Sequence, residues 1–305
     1  MGRKPKWLVE CPEIYCVTCG TQVLESGRVC PRCLTPVQVS RSVALKKNTK
    51  MITVLGASGA GKTVFLGMLL DMLSKGCNGM GCLPNGSFTL EVQENTVTAL
   101  ESRRFPPKTQ NEPDHWNWVH CEAFSHRKPG RRFDVITPDI AGEVLAHELE
   151  HAGTSTAIRS LLINSHGLII LLDAQRVREE PRSEDIFAVK LATYVEDLRS
   201  RTQNERRKQV RMPLSFVLTK SDSCPEAEQD PQRFADANLP GLIRYCTEKF
   251  QSFTFSAASV VGRSAQAMDQ YGTPFQVPLH VQPRGIVEPL DWILCRLEKK
   301  WARSR

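Results

Sequence analysis

Gly56-Ala57-Ser58-Gly59-Ala60-Gly61-Lys62-Thr63 is preceded by the apolar run Met51 to Leu55 and followed by the helical run Val64 to Leu73. Glycines at these positions let the backbone curl so that successive N–H groups point inward, and the helix that starts there adds the positive end of its dipole. Strand, glycine-rich turn and helix together make a cradle for anionic phosphate, a P-loop. Lys62 is expected to reach the outer phosphates, and the Thr63 hydroxyl to take one octahedral position on a magnesium ion. The candidate nucleotide-binding set at this end of the chain is Gly56, Ala57, Ser58, Gly59, Ala60, Gly61, Lys62 and Thr63, with Val64 at the start of the helix.

Before this stretch, Cys16-Val17-Thr18-Cys19 and Cys30-Pro31-Arg32-Cys33 form two C-x2-C pairs. Each pair is a tight turn that places two thiolates on one side, and a short hairpin over residues 21–29 would bring the turns together tetrahedrally. Four thiolates close the coordination sphere, so the expected ion is a structural Zn2+ that supplies most of the folding free energy of so small a segment. Arg28 and Arg32 offset its negative charge. The segment resembles the zinc ribbons found in many proteins; Cys11 is read as a bystander. The expected division is a zinc ribbon over residues 1–40, a polar, basic linker over 41–49 and a nucleotide-binding domain over 50–305.

After the P-loop, residues 76–86 are glycine-rich and read as irregular. Phe88, Leu90 and Val92 alternate like a short strand, and Glu94 to Arg104 reads as a helix ended by Pro106-Pro107. The stretch Trp116 to His120 and the strand Arg132 to Thr137 suggest a hairpin. Asp139-Ile140-Ala141-Gly142-Glu143 follows at the end of that second strand. The apolar run Leu214 to Leu218 leads into Thr219-Lys220-Ser221-Asp222, and Ser252 to Phe255 leads into Ser256-Ala257-Ala258. Gly167 to Leu172 reads as a further strand; Ser183 to Arg201, Pro231 to Phe250 and Pro289 to Trp301 read as helices. This alternation predicts an α/β fold, a doubly wound, mostly parallel sheet with helices on both faces.

The P-loop, D-x-x-G, T-K-x-D and S-A-x stretches stand in the order used by translation-factor and Ras-related P-loop GTPases, and the resemblance spans Lys50 to about Ser259. With its ribbon the chain most resembles the bacterial double-GTPase group, which is associated with conflict or defence systems and multi-protein assemblies. It departs from a minimal Ras-like domain by longer insertions at 77–105 and 175–185. The resemblance implies that Asp139 holds magnesium through water and that the Gly142 N–H meets the γ-phosphate. Asp222 would accept hydrogen bonds from guanine N1–H and N2–H2, the Lys220 stem would lie on the ring, Thr219 would open this motif, and Ser256, Ala257 and Ala258 would bring a backbone N–H to guanine O6. Thr109 is the expected switch threonine and second magnesium ligand, with Thr96 and Thr98 as alternatives. Related enzymes carry glutamine where Glu143 stands, and Glu143 is the expected water-positioning group. The catalytic candidates are thus Lys62, Thr109, Gly142 and Glu143.

Three functions fit this reading. One is a magnesium-dependent, GTP-hydrolysing switch that docks protein partners through its ribbon and switch regions, slow on its own because no finger arginine is evident. The second is a GTP-binding scaffold without turnover. The third is a nucleic-acid-associated GTPase using the ribbon and Arg206-Arg207-Lys208. The net charge of +7 over 305 residues permits an acidic partner without demanding one. No apolar run is long enough for a membrane span, and the basic start Met1 to Lys6 lacks the apolar stretch of a secretion signal, so a cytoplasmic location is expected. Eleven cysteines, an odd number, suit metal binding and buried thiols better than a disulfide framework. His147-Glu148-Leu149-Glu150-His151 matches the H-E-x-x-H of zinc proteases, but its place just after Gly142 points to a solvated helix face.

Overall fold

The computed structural model describes residues 14–44, 49–108, 116, 118–126, 132–202, 209–268, 272 and 274–297. Trp7, Cys11, Lys46, Lys47, Thr109 and the run Arg206 to Lys208 lie outside them. The order of elements is β1 (Ile14–Tyr15), β2 (Gln22–Val23), α1 (Val37–Val43), β3 (Thr49–Gly56), α2 (Lys62–Ser74), β4 (Met80–Pro84), α3 (Ser87–Glu101), β5 (Trp118–Ser125), β6 (Arg132–Pro138), α4 (Gly142–Glu150), α5 (Thr156–Asn164) and β7 (Gly167–Asp173). It continues with α6 (Ala174–Glu179), α7 (Pro181–Thr202), β8 (Leu214–Thr219), α8 (Pro225–Gln229), α9 (Pro231–Asn238), α10 (Pro240–Lys249), β9 (Phe253–Met268), β10 (Pro274–Arg284) and α11 (Glu288–Leu297).

Eight strands form one sheet in the order β10-β9-β8-β7-β3-β6-β5-β4. The central pairings β6/β3, β3/β7, β7/β8 and β8/β9 are parallel, and both edges are antiparallel. Strand side chains alternate between faces, so each strand feeds two cores. Met51 and Leu55 of β3, Leu168, Ile170 and Leu172 of β7, and Phe216 and Leu218 of β8 share a core with α5, α7 and α10. Ile52 and Val54, Ile169 and Leu171, and Val217 point the other way, into a core with α2, α3 and α11. The predicted α/β class with a mostly parallel sheet is the one observed.

Several local expectations change. The glycine-rich residues 76–86 contain the edge strand β4. Gly76, Asn78 and Gly79 take positive φ in the tight turn that starts it, and their composition hid the strand. The alternation at Phe88, Leu90 and Val92 does not mark a strand, because these residues lie in α3. Its buried positions are Thr89, Val92, Thr96 and Leu100, a helical spacing, while Phe88 and Leu90 face solvent. Thr96 is buried against α2, where a Cβ on Gly67 would lie 2.1 Å from its hydroxyl. The helix expected over Pro231 to Phe250 is divided into α9 and α10 at Pro240, which starts the second helix. Helix α1 runs across residue 40, so the first residues of the expected linker are helical.

The ribbon's hairpin also differs. β1 pairs with β2 around the first cysteine pair, and an isolated bridge joins Val29 to Pro36 around the second, so each pair has its own clasp in place of one hairpin between them. The segment is packed on the large sheet. Ile14, Val23, Val37, Val39 and Val43 belong to the same core as Trp116, Trp118, Ile136 and Ile140. Asn164 Nδ2 donates to the Thr18 carbonyl at 2.6 Å. At the C-terminal end of α1, Ser42 Oγ lies 3.1 Å from His120 Nδ1, whose Nε2 lies 2.8 Å from Asp134 of β6.

Candidate nucleotide site

A cavity of about 350 Å3 opens at the carboxyl ends of β3, β7 and β8, where open α/β sheets bind ligands. Ser58 to Thr63, Gly142, Glu143, Thr219, Lys220, Asp222 and Ala258 line it. Gly59 and Gly61 take φ of +77° and +84° with nothing near a Cβ, so the loop needs glycine for its conformation and presents its backbone to the cavity. Gly56 needs it for space, since a Cβ there would meet the Leu171 carbonyl at 2.7 Å. Lys62 begins α2 and is buried. Its Nζ donates to the Gly56 and Ala57 carbonyls at 3.1 and 3.0 Å, and burial lowers its pKa against the opposing pull of Asp139 and Glu143.

Asp139 follows β6, and its Oδ2 accepts the Thr63 hydroxyl at 2.8 Å. A hydroxyl and a carboxylate oxygen beside the cradle are the hard donors that Mg2+ takes, so Thr63 and Asp139 fit the expected ion. Gly142 starts α4 against the loop: a Cβ there would lie 2.2 Å from Ser58 N, which only glycine permits. The next residue, Glu143, accepts a hydrogen bond from the Ser58 hydroxyl, and this contact foremost holds its carboxyl below the usual range. Thr109 lies outside the described residues; the chain leading to it, Phe105 to Lys108, lines the cavity.

Thr219 ties the two halves of the site together, its hydroxyl lying 3.0 Å from the Ala60 carbonyl and 3.2 Å from that of Leu172. Lys220 takes a left-handed backbone conformation (φ +56°), and its Nζ donates to Asp173 Oδ2 at 2.6 Å. Asp222 Oδ1 accepts the Ser259 hydroxyl at 2.8 Å. The stretch expected to be a loop, Ser256-Ala257-Ala258, is strand: it pairs with Val217, Leu218 and Thr219 within β9. Ala258 reaches the cavity, but Ser256 and Ala257 do not. The serine of β9 whose hydroxyl reaches Asp222 is Ser259, three residues on. The signal for it was the second serine in Ser256-Ala-Ala-Ser259, and β9 runs further than its apolar start suggests because β10 pairs with its outer half.

Glu148 of the H-E-x-x-H stretch is buried, not solvated. Its carboxylate accepts from Gly153 N at 2.8 Å, Thr154 Oγ1 at 2.9 Å, Ser155 N at 2.6 Å and the Tyr194 hydroxyl, and so holds the turn between α4 and α5. Burial pushes this carboxyl up, but the Tyr194, Gly153, Ser155 and Thr154 hydrogen bonds outweigh it and hold the pKa below the ordinary value. A lowered native pKa contributes stability that is full above the unfolded glutamate value of about 4.3 and is lost as pH falls through the native value. Denaturant melts of wild type and Glu148→Gln should therefore differ by roughly 2–3 kcal/mol at neutral pH, as expected for a charged hydrogen-bond acceptor, and converge in acid. A gap that persists in acid would contradict this.

The second site is the cysteine cluster. The Sγ atoms of Cys16, Cys19, Cys30 and Cys33 all lie within 4.8 Å of one another, with Cys16 to Cys33 at 3.4 Å and Cys19 to Cys30 at 3.6 Å. Zn–S bonds of about 2.3 Å set tetrahedral edges of about 3.8 Å, so this donor set fits a structural zinc without further ligands. The Cys33 contact is the main cause that holds the Cys16 thiol down at about 4, and the same contact pushes Cys33 up. Among the described residues this is the one cluster of metal-ligating groups; His147 and His151, with ring centroids 5.0 Å apart, form none.

No helix among the described residues is long and apolar enough to cross a membrane. No curated protein sequence matches the chain. Solved structures similar to it include the Arl6 small GTPase of Trypanosoma brucei with a bound nucleotide analogue (14% identity, 85% of this chain and 100% of that one, TM-score 0.40). Two others are nucleolar GTP-binding protein 1 of Plasmodium falciparum (12% identity, 86% and 92%, TM-score 0.42) and the signal recognition particle receptor complex with GTP of Chaetomium thermophilum (15% identity, 71% and 93%, TM-score 0.38). The sequence profile of the Double-GTPase 2 family matches residues 50–272, most of the chain and every motif around the cavity. The chain belongs to the Double-GTPase 2 family.

Proposed function

We propose that this protein is a magnesium-dependent switch that binds and hydrolyses GTP. The observation that carries the reading is the convergence of four separate chain segments, Ser58 to Thr63, Gly142-Glu143, Thr219 to Asp222 and Ala258, on one cavity. In this reading the N–H groups of the Gly56 to Val64 turn and Lys62 hold the phosphates, and Thr63 and Asp139 hold Mg2+, which supplies charge neutralisation between the β- and γ-phosphates. Asp222 and the Lys220 stem select guanine. Ser259 donates to one Asp222 oxygen and so holds that carboxylate in place. Gly142 carries the γ-phosphate signal into α4, and Thr109 is the partner switch residue.

Glu143 is the group assigned to the attacking water. Its hydrogen bond from Ser58 places it on the cradle, and as a carboxylate at neutral pH it can accept from water. The domains we assign are the ribbon to residue 40, a connector, and the GTPase unit from residue 50 onward. The ribbon's outward residues Tyr15, Leu24 and Val29 are what a protein partner in the same assembly would meet. The test is single-turnover GTP hydrolysis by wild type, Glu143→Ala, Thr109→Ala and Lys62→Ala. Glu143→Ala should bind GTP and lose about 10²–10⁴-fold in rate, the usual range for a positioned general base. If wild type binds GTP yet releases phosphate no faster than Lys62→Ala, the protein is a nucleotide-binding scaffold instead.

A further inference from the structure

We infer that Arg176 is an arginine finger supplied in cis, the group that neutralises the γ-phosphoryl charge in the transition state. This rests on the GTP-hydrolysing reading above and removes its need for an arginine from a partner.

The placement of Arg176 follows from the end of β7. Asp173 Oδ1 accepts the backbone N–H groups of Gln175 and Arg176 at 3.0 and 3.4 Å, which caps α6 and fixes where both side chains start. Its Oδ2 accepts Lys220 Nζ, so the cap is anchored to the base side of the cavity. Gln175 lines the cavity. One residue on, Arg176 Nη1 lies 3.4 Å from the Ser58 carbonyl, within donating distance, and Nη2 pairs with Glu184 at 2.7 Å.

Ser58 marks the outer end of the cradle. Its hydroxyl binds Glu143, and its backbone nitrogen lies against Gly142, the two residues assigned to the attacking water and the γ-phosphate. Arg176 therefore meets the phosphate loop at Ser58, the residue that Glu143 and Gly142 also meet. Glu184 is 3% exposed and holds one edge of the guanidinium, while the Arg176 side chain is 44% exposed. The planar fork can keep Glu184 with one nitrogen and exchange the long Ser58 contact for a phosphate oxygen with another.

In the step itself the water oxygen forms a bond to the γ-phosphorus, and the bond from that phosphorus to the bridging oxygen breaks. The bridging oxygen keeps the electron pair and leaves on GDP, and the two protons of the water end on the released phosphate. Negative charge spreads over the transferring phosphoryl and bridging oxygens, where Lys62 lies and toward which Arg176, outside the cavity lining in this structure, would turn from Ser58.

The test uses the full-length chain with zinc retained. GDP affinity, GDP retention with aluminium fluoride, and single-turnover GTP hydrolysis are measured with no other protein present for wild type, Arg176→Ala and Arg176→Lys. The lysine variant keeps a cation opposite Glu184, which guards against a folding defect in the alanine variant. Wild type should form a GDP–aluminium fluoride complex by itself. Both variants should bind GDP as wild type does, fail to form that complex, and lose about 10³-fold or more in hydrolysis, the effect of removing an arginine finger. The assignment is overturned if either folded variant hydrolyses GTP at the wild-type rate. It is equally overturned if wild type binds GDP but captures aluminium fluoride only when another protein is added. Absence of GDP binding by wild type would instead bring down the nucleotide reading beneath it.

Discussion

Asp222→Ala is expected to erase the preference for guanine over adenine while the phosphate cradle stays intact. Two hydrogen bonds from guanine N1–H and N2–H2 to one carboxylate contribute ~1.5–3 kcal/mol each, so their joint loss is worth roughly 10²–10⁴ in affinity for GDP. Adenine offers neither donor, and binding it leaves the carboxylate unpaired, so ADP should gain slightly in the variant while GDP falls steeply. Ser259→Ala should show a weaker loss in the same direction, since Ser259 holds Asp222 Oδ1 but does not touch the base in this reading. Competition titrations of GDP and ADP against both variants measure it. Equal weakening of GDP and ADP by Asp222→Ala would mean that the residue supports the loop and reads no base.

Loss of zinc should disturb far more than the first forty residues. Structural zinc sites contribute about 10–16 kcal/mol of apparent binding free energy. Here it would stabilise a segment whose apolar side chains, Ile14, Val23, Val37, Val39 and Val43, belong to the same core as one face of the large sheet. Cys33→Ser, or chelation of the wild type, is expected to uncover Trp116, Trp118, Ile136 and Ile140. A cost of at least ~3 kcal/mol follows, roughly 6–12 °C in Tm for a large domain. Purified protein should hold one zinc per chain, and its removal should raise apolar dye binding and shift tryptophan emission. Unchanged melting and emission after complete metal removal would show that the ribbon is an independent module.

The central architecture was legible in the sequence because it is local. The turn at Gly56 to Thr63, the apolar strands at β3, β7 and β8, and the motifs at their ends each declare themselves within a few residues. The features that were missed depend on distant partners or on two periodicities in conflict. In α3 the alternation of Phe88, Leu90 and Val92 imitated a strand, whereas the helical set Thr89, Val92, Thr96 and Leu100 is the one that meets α2. Glu148 looked solvated because its partners, Tyr194 above all, lie outside its own helix. The seating of the ribbon on the sheet rests on contacts such as Ser42 to His120 and Asn164 to Thr18, which no local pattern announces. Arg176 was unremarkable in a charged stretch until the cap at Asp173 placed it beside Ser58. The division at Pro240, by contrast, was readable, since proline inside a helical pattern breaks it at the preceding residue.

The cavity between the Ser58 to Thr63 loop and Asp222 is expected to hold a guanine nucleotide. Calorimetric titration of the purified chain with GDP, GTP, ADP and ATP in the presence of magnesium, with Lys62→Ala as control, tests it most directly. GDP and GTP should bind at least ~10²-fold more tightly than ADP and ATP, and Lys62→Ala should weaken all four, because it removes a charge-assisted contact to the phosphates that every one of them carries. Adenine nucleotides binding as tightly as guanine nucleotides, or GDP binding that is indifferent to Lys62, would contradict it.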